Sequence, residues 1–149
     1  MEIREATPQD FSDLVAIGHK FFEFNVYRKY SSIDELSLIR TFQQLRQEHI
    51  LLVVEHDAKV IGCAGAFIAP LYWNHSHLQG LEAFWWIDPE FRQGGIGKEL
   101  RKALQVAAEA KGVRFWNMIA LKESMHDQVC AQYERAGMTA VETVYMKVL

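Results

Sequence analysis

The stretch Asp88-Pro89-Glu90-Phe91-Arg92-Gln93-Gly94-Gly95-Ile96-Gly97-Lys98 carries the densest chemical signal in the chain. It stands between an apolar run, Phe84-Trp85-Trp86-Ile87, and an amphipathic segment from Ile96 to Lys111. That order reads strand, glycine-rich turn, helix. Such a turn is an anion site: the first N–H groups of a helix lack intrahelical acceptors and point outward, and the helix dipole adds partial positive charge. Gly94, Gly95 and Gly97 let the backbone come close to a phosphate, and Arg92 and Lys98 add cationic side chains. The plainer alternative is a glycine-rich connection that binds nothing. Two other phosphate loops do not fit. No Gly-x-Gly-x-x-Gly is present with an acid about 20 residues on, and Gly97-Lys98 is followed by Glu99 where a Walker loop needs Ser or Thr.

Ahead of the turn stands Glu82, an acid in an otherwise apolar strand. Burial there would raise its pKa toward the range useful to a general base. Strand side chains alternate, so the face Glu82 takes depends on whether a bulge intervenes. The other reading of Glu82 is a structural carboxylate hydrogen-bonded at the sheet edge. His75 and His77 alternate just before this strand and offer a second proton-relay pair, or are simply loop histidines. Two histidines with no further ligands do not make a metal site, so no metal is expected.

These groups need elements to hold them. Met1 to Ala6 reads as a short strand, and Thr7-Pro8-Gln9-Asp10 as a helix start, with Phe11, Leu14, Val15, Gly18, Phe21 and Phe22 following at helical spacing. Ser32-Ile33-Asp34-Glu35 reads as a capping box for a second helix whose inward face uses Leu36, Ile39, Phe42 and Leu45. Phe21, Phe22, Phe24, Tyr27 and Tyr30 either line an acceptor pocket or belong to the core. Ile50 to Glu55 is an apolar strand, His56 to Lys59 a hairpin turn, and Val60 to Ala69 the returning strand, with Gly62 and Gly65 as bulge candidates. Leu71 to His77 has no clear period and reads as a loop before a strand from about Leu78 to Ile87. The helix after the turn buries Ile96, Leu100, Ala103, Leu104 and Ala107, and Gly112 stops it. Val113 to Ala120 is a strand, Ser124 to Ala136 a helix, and Thr139 to Val148 a last strand or two. The order β-α-α-β-β-β-α-β-α-β gives an α/β fold with a mixed, mostly antiparallel sheet flanked by helices.

At 149 residues without repeats, linkers or low-complexity tracts, residues 1–149 read as a single domain. A net charge of −3 argues against a broad nucleic-acid surface. No apolar stretch approaches the roughly 20 residues of a membrane span. The opening Met1-Glu2-Ile3-Arg4-Glu5 does not have the form of a signal peptide, so a cytoplasmic location is expected. Cys63 and Cys130 read as buried free thiols of a reducing compartment.

Arg92-Gln93-Gly94-Gly95-Ile96-Gly97 resembles motif A of the GNAT N-acetyltransferase family, Arg/Gln-x-x-Gly-x-Gly/Ala. The flank Ile87-Asp88-Pro89-Glu90-Phe91-Arg92 is similar to the family's Val-x-Pro-Glu-Tyr-Arg, and Tyr133-Glu134-Arg135-Ala136-Gly137-Met138 to its Tyr-Glu-Lys-x-Gly-Phe ending. Paired tryptophans, Trp85-Trp86, resemble a subgroup of phage and bacterial genomes. The resemblance implies the acyl-CoA N-acyltransferase fold and an acyltransferase that moves an acetyl group from acetyl-CoA to a primary amine of a small molecule or protein. A catalytically silent CoA-binding or protein-interaction domain on the same fold is the alternative. The resemblance also implies that CoA binds Arg92, Gln93, Gly94, Gly95, Ile96, Gly97 and Lys98. Its pantetheine arm would run between the backbone of Trp86 and Ile87 on one side and Asn117 to Ile119 on the other. Tyr133 takes the place of the family's proton-donating tyrosine, with a core tyrosine as the alternative, and His126 stands where many relatives carry Asn. Glu82, read from its place in an apolar strand, is the candidate base for such a transfer. Dimers are common in the family, so a homodimer joins the amine acceptor as an expected partner, with neither nucleic acid nor membrane.

Overall fold

Residues 50 to 54, Ile-Leu-Leu-Val-Val, are apolar at successive positions, so a strand built from them has no solvent face and needs cover on both sides. The computed structural model, which describes residues 1–149, shows that cover. Five strands, β1 (Glu2–Glu5), β2 (Ile50–His56), β3 (Lys59–Leu71), β4 (Asn74–Ile87) and β5 (Val113–Asn117), form one sheet in sequence order. The first four pair antiparallel, and β5 joins β4 in parallel. On one face Ile50, Leu52 and Val54, with Ile61, Ala64, Ala66 and Ile87, pack against Ile96, Leu100, Leu104 and Ala108 of α3 (Ile96–Ala110). On the other, Leu51, Val53, Val60, Cys63 and Trp86 pack against Leu14 and Ile17 of α1 (Phe11–Phe22) and Phe42 and Leu45 of α2 (Glu35–Glu48). Mixed strands between helical layers are the architecture expected from the sequence.

The chain falls into two compact units, Met1–Ile119 and Ala120–Leu149. The first contains the sheet and α1 to α3. The second contains α4 (His126–Arg135) and the residues around it. Gly137 (φ 82) ends α4, with the Met138 N–H donating to the Tyr133 carbonyl at 3.0 Å.

Several local expectations hold. Thr7 and Asp10 cap each other's backbone around Pro8, and Asp10 also takes both Arg4 Nη groups at 2.8 Å, which ties β1 to the start of α1. Asp57 and Ala58, both left-handed (φ 50 and 58), make the two-residue turn between β2 and β3. Gly62 and Gly65 both lie beside register shifts of the ladder.

Other expectations fail, each for a physical reason. The second helix starts at Glu35 because Asp34 caps it, accepting from the Ser37 N–H at 3.0 Å, and the Ser32 box does not form. Leu36 is exposed, and Leu38 takes the inward place. The 71–77 loop is instead a tight connection: β3 runs through Pro70 to Leu71 and β4 begins at Asn74. The two corner residues are Tyr72 and Trp73, whose rings meet edge to face at 4.5 Å, so no glycine or asparagine announces the turn. The helix expected from Ser124 begins at His126 after left-handed Met125. Residues 138 to 149 adopt no regular secondary structure, so the expected last strand is absent. Strand-favouring residues become a strand only when an edge pairs with them, and here Val141, Val144 and Tyr145 are exposed. Cys63 is buried as expected, and Cys130 is only half-buried.

Gly62 gives a test of the sheet's packing. A Cβ there would lie 2.4 Å from Ile87 Cδ1 and 2.8 Å from the Trp86 carbonyl oxygen, which is fixed in the ladder. Gly62→Val should lower unfolding stability by about 1–3 kcal/mol in a denaturant titration. An unchanged midpoint would mean the β3–β4 spacing is not held this tightly.

Candidate active site

β4 pairs with β3 from end to end, but with β5 only over Leu78–Leu81. From Glu82 onward β4 runs on to Ile87 without a partner on that side, so the two parallel strands fork. Two features set the fork. Gly65 pairs with Phe84 and Ala66 with Glu82, which leaves Ala83 as the extra residue of a bulge that bends β4. At the vertex, Asn117 Nδ2 donates to the Gly80 carbonyl at 3.2 Å, while the Trp116 ring covers Gly80, where a Cβ would come within 2.7 Å of it. Farther along, the Asp88 N–H donates to the Ile61 carbonyl of β3 at 2.8 Å. By alternation the Ile87 N–H and carbonyl face away from β3, toward the fork.

Just past Ile87 the chain makes a short 3-10 turn at Pro89–Phe91 and then the glycine turn. Gly94 (φ 104) and Gly95 (φ 88) are both left-handed, and Gly95 caps α3. No atom lies within 4 Å of where a Cβ would stand on either glycine, so the start of α3 is open to a ligand. Ile96 is buried under the sheet and anchors the helix, whereas Gln93 and Lys98 are exposed. Arg92 is not a loose phosphate ligand. Its Nε donates to the Ile87 carbonyl at 2.8 Å, and its guanidinium lies 4.5 Å from the centre of the Trp86 ring. Trp85 secures the other side, its Nε1 donating to the Gly97 carbonyl at 3.1 Å.

Glu82 is 5% exposed, and its carboxylate accepts the Ile119 N–H at 2.9 Å across the fork. Burial pushes its pKa up to about 7, against a smaller lowering by that N–H. The bulge anticipated as the condition for its placement is present, and it puts Glu82 opposite Ala66. The carboxylate therefore combines two sequence expectations: it is poised near neutrality, and it is hydrogen-bonded at the open edge.

The fork thus gathers Glu82, Trp86, Ile87, Asn117 and the Arg92–Lys98 turn within the first unit. His75 is exposed, and His77 pairs with Arg114 (3.3 Å) and the Phe115 ring. His77 lies roughly 16 Å back along the strand from Glu82. Tyr133 lies on α4 in the second unit and is buried. Four residues had no role in the sequence reading. Asp88 and Lys20 form an ion pair at 2.9 Å. Arg101 in α3 and Trp116 in β5 each bury a donor nitrogen, Nε and Nε1, that has no acceptor. Only Arg101 left a readable trace, a charged residue beside the buried stripe of its helix.

The model of the acetyltransferase (GNAT) family matches residues 15–138, and the chain belongs to that family. Its fold is the GNAT acyltransferase fold, shared with an acetyltransferase from Trypanosoma brucei at 20% identity, TM-score 0.76, over 99% of each chain. A predicted acetyltransferase from Clostridium acetobutylicum, solved with acetyl-CoA, aligns at 19% identity and TM-score 0.76 over 99% of this chain and 95% of its own. Glucosamine-6-phosphate N-acetyltransferase from Arabidopsis thaliana aligns at 18% identity and TM-score 0.75 over 99% of this chain and 97% of its own. No curated protein sequence matches the chain. No helix is long and apolar enough to cross a membrane.

The shifted carboxyl can be measured. A carbon-detected titration should show one glutamate ionising near pH 7, missing in Glu82→Gln. Because the folded pKa lies above the unfolded value, the stability linked to the neutral carboxyl is complete below about pH 4.3 and is lost as pH rises through 7. The Glu82→Gln variant should lack this component of the pH dependence. A Glu82 that titrates with the exposed glutamates would overturn the assignment.

Proposed function

We propose that this protein is an acetyl-CoA-dependent N-acetyltransferase that acetylates a primary amine of a small molecule or protein. The observation that carries the proposal is the open fork between β4 and β5, which leads to a left-handed glycine turn at the start of α3. The residues fit CoA. The turn offers unpaired helix N–H groups with free space above Gly94 and Gly95, and the Ile87 N–H faces the fork. In this reading Arg92, Gln93, Gly94, Gly95, Ile96, Gly97 and Lys98 hold the pyrophosphate, and Trp86, Ile87 and Asn117 border the pantetheine arm. When bound, acetyl-CoA supplies the acetyl group as a thioester.

The chain's own residues then have separate tasks. An alkylammonium has a pKa near 10.4, so the acceptor must lose a proton before it can attack. Glu82, with its pKa near 7, can take that proton directly or through water. The backbone N–H groups at the fork can polarise a carbonyl oxygen. The fork itself orients one substrate against the other. Tyr133 keeps its proposed role as proton donor to the departing thiolate, supported by the motif it shares with the family. The N-acetyltransferase activity named for the Arabidopsis neighbour supports an amine acceptor.

Two experiments test this reading. Calorimetry should show CoA binding to the wild type and its loss in Gly95→Glu, since a side chain at φ 88 is strained and would occupy the space over the turn. If that variant binds CoA as the wild type does, the cofactor assignment is wrong. With a panel of amines, turnover distinguishes an enzyme from a silent CoA-binding domain. Glu82→Gln should lower kcat by about 10²–10⁴-fold with CoA affinity unchanged, and Tyr133→Phe should lower kcat with little change in Tm. Full turnover by either variant removes that residue from the mechanism.

A further inference from the structure

Asp88 closes β4 and is buried beside the glycine turn, yet the anion-site reading gives it no task. Its carboxylate accepts the Trp86 indole N–H at 3.0 Å and both oxygens lie 2.9 Å from Lys20 Nζ, on the last turn of α1. The same indole carries the Arg92 guanidinium over its face at 4.5 Å, and Arg92 Nε holds the Ile87 carbonyl at 2.8 Å. Phe21, next to Lys20 in sequence, and Phe24, four residues on, pack on the Trp86 ring at 6.1 and 5.5 Å. A single line of contacts therefore runs from α1 through Asp88 and Trp86 to the arginine of the turn.

We propose that Lys20 is a positioning residue for the cofactor turn: through Asp88 and Trp86 it fixes the Arg92 guanidinium, so that the end of α1 and the glycine turn act as one unit. This rests on the CoA reading given above.

The physical argument concerns what Asp88 does without its partner. The carboxylate side chain is 12% exposed, and a buried charge left with one neutral donor is unfavourable. A cavity of about 590 Å³ lies beside it, and its charged lining includes Lys59 as well as Asp13, Asp57 and Glu90. Without Lys20 the carboxylate gains more by turning into that cavity toward water than by holding the indole. Trp86 then loses the hydrogen bond that ties its indole to Asp88, and the platform under Arg92 is held only by packing such as that of Phe21 and Phe24. Lys20 itself is half exposed, so its loss disturbs the turn without opening the core.

The test is CoA calorimetry on the full chain, comparing wild type, Lys20→Met, Lys20→Arg, Arg92→Ala and the double variant Lys20→Met/Arg92→Ala, with Tm recorded for each. Lys20→Met should raise the Kd for CoA about fivefold or more, the lower range of coupling between sites, with Tm little changed. Lys20→Arg should restore most of the affinity. In the Arg92→Ala background, Lys20→Met should have no further effect, because the line of contacts reaches the turn through that arginine. Wild-type affinity in Lys20→Met overturns the inference. So does an equal loss in both backgrounds, which would mean that Lys20 acts without Arg92. Absence of CoA binding by the wild type overturns the cofactor reading itself, and this inference with it.

Discussion

The ladder between β4 and β5 ends at Leu81 and Asn117, and the chemistry of the fold depends on that ending. Had the two strands stayed paired to Ile87, the N–H and carbonyl groups beyond Leu81 would be consumed by each other, and Glu82 would have no Ile119 amide to accept. The bulge at Ala83 bends one arm of the fork, and the Asn117 amide fixes the vertex. The parallel pairing also requires a crossover, and that crossover is α3. The helix whose start offers free N–H groups is therefore delivered to the same place by the connection that makes the fork.

The two tryptophans divide the work of holding the turn. Consecutive strand residues point to opposite faces, so Trp85 lies on the α3 side and Trp86 on the α1 side. Trp85 binds the first turn of α3 through Gly97, and Trp86 presents its ring to Arg92. The glycines, which by themselves would leave this segment loose, are thus clamped from both layers. Within this turn the left-handed backbone that glycine takes without strain is confined to Gly94 and Gly95.

What could be read in advance was local. The strand, glycine turn and α3 lie within one stretch of sequence, and each declares itself by residue type at short spacing. The depth of Glu82 was also legible, because an acid among apolar neighbours in a strand has few places to go. The fork was beyond composition or periodicity, since it arises where a bulge at Ala83 meets the end of a strand more than 30 residues on. The Lys20–Asp88 pair spans 68 positions, and neither residue sits in a pattern that points to the other. The start of α2 shows a subtler limit: the Ser32 capping box matched a local pattern, and only the folded geometry shows that the Asp34 carboxylate is the group that reaches Ser37. The last segment shows the opposite failure. Strand-favouring residues were present, but a strand is made by its neighbours as much as by its own residues.

Apolar residues on both faces have a cost in information. A strand with one wet face is locked in register by polarity, since a slip of one residue would bury its charges. β2 and the first half of β3 have no wet face, so a slip would exchange one apolar set for another. Their alignment must be encoded by shape. Gly62 and Gly65 carry that code, because only a residue lacking Cβ can stand against the Trp86 carbonyl or the Phe84 ring. The sheet is keyed like a lock, and the key is cut by two missing methyl groups.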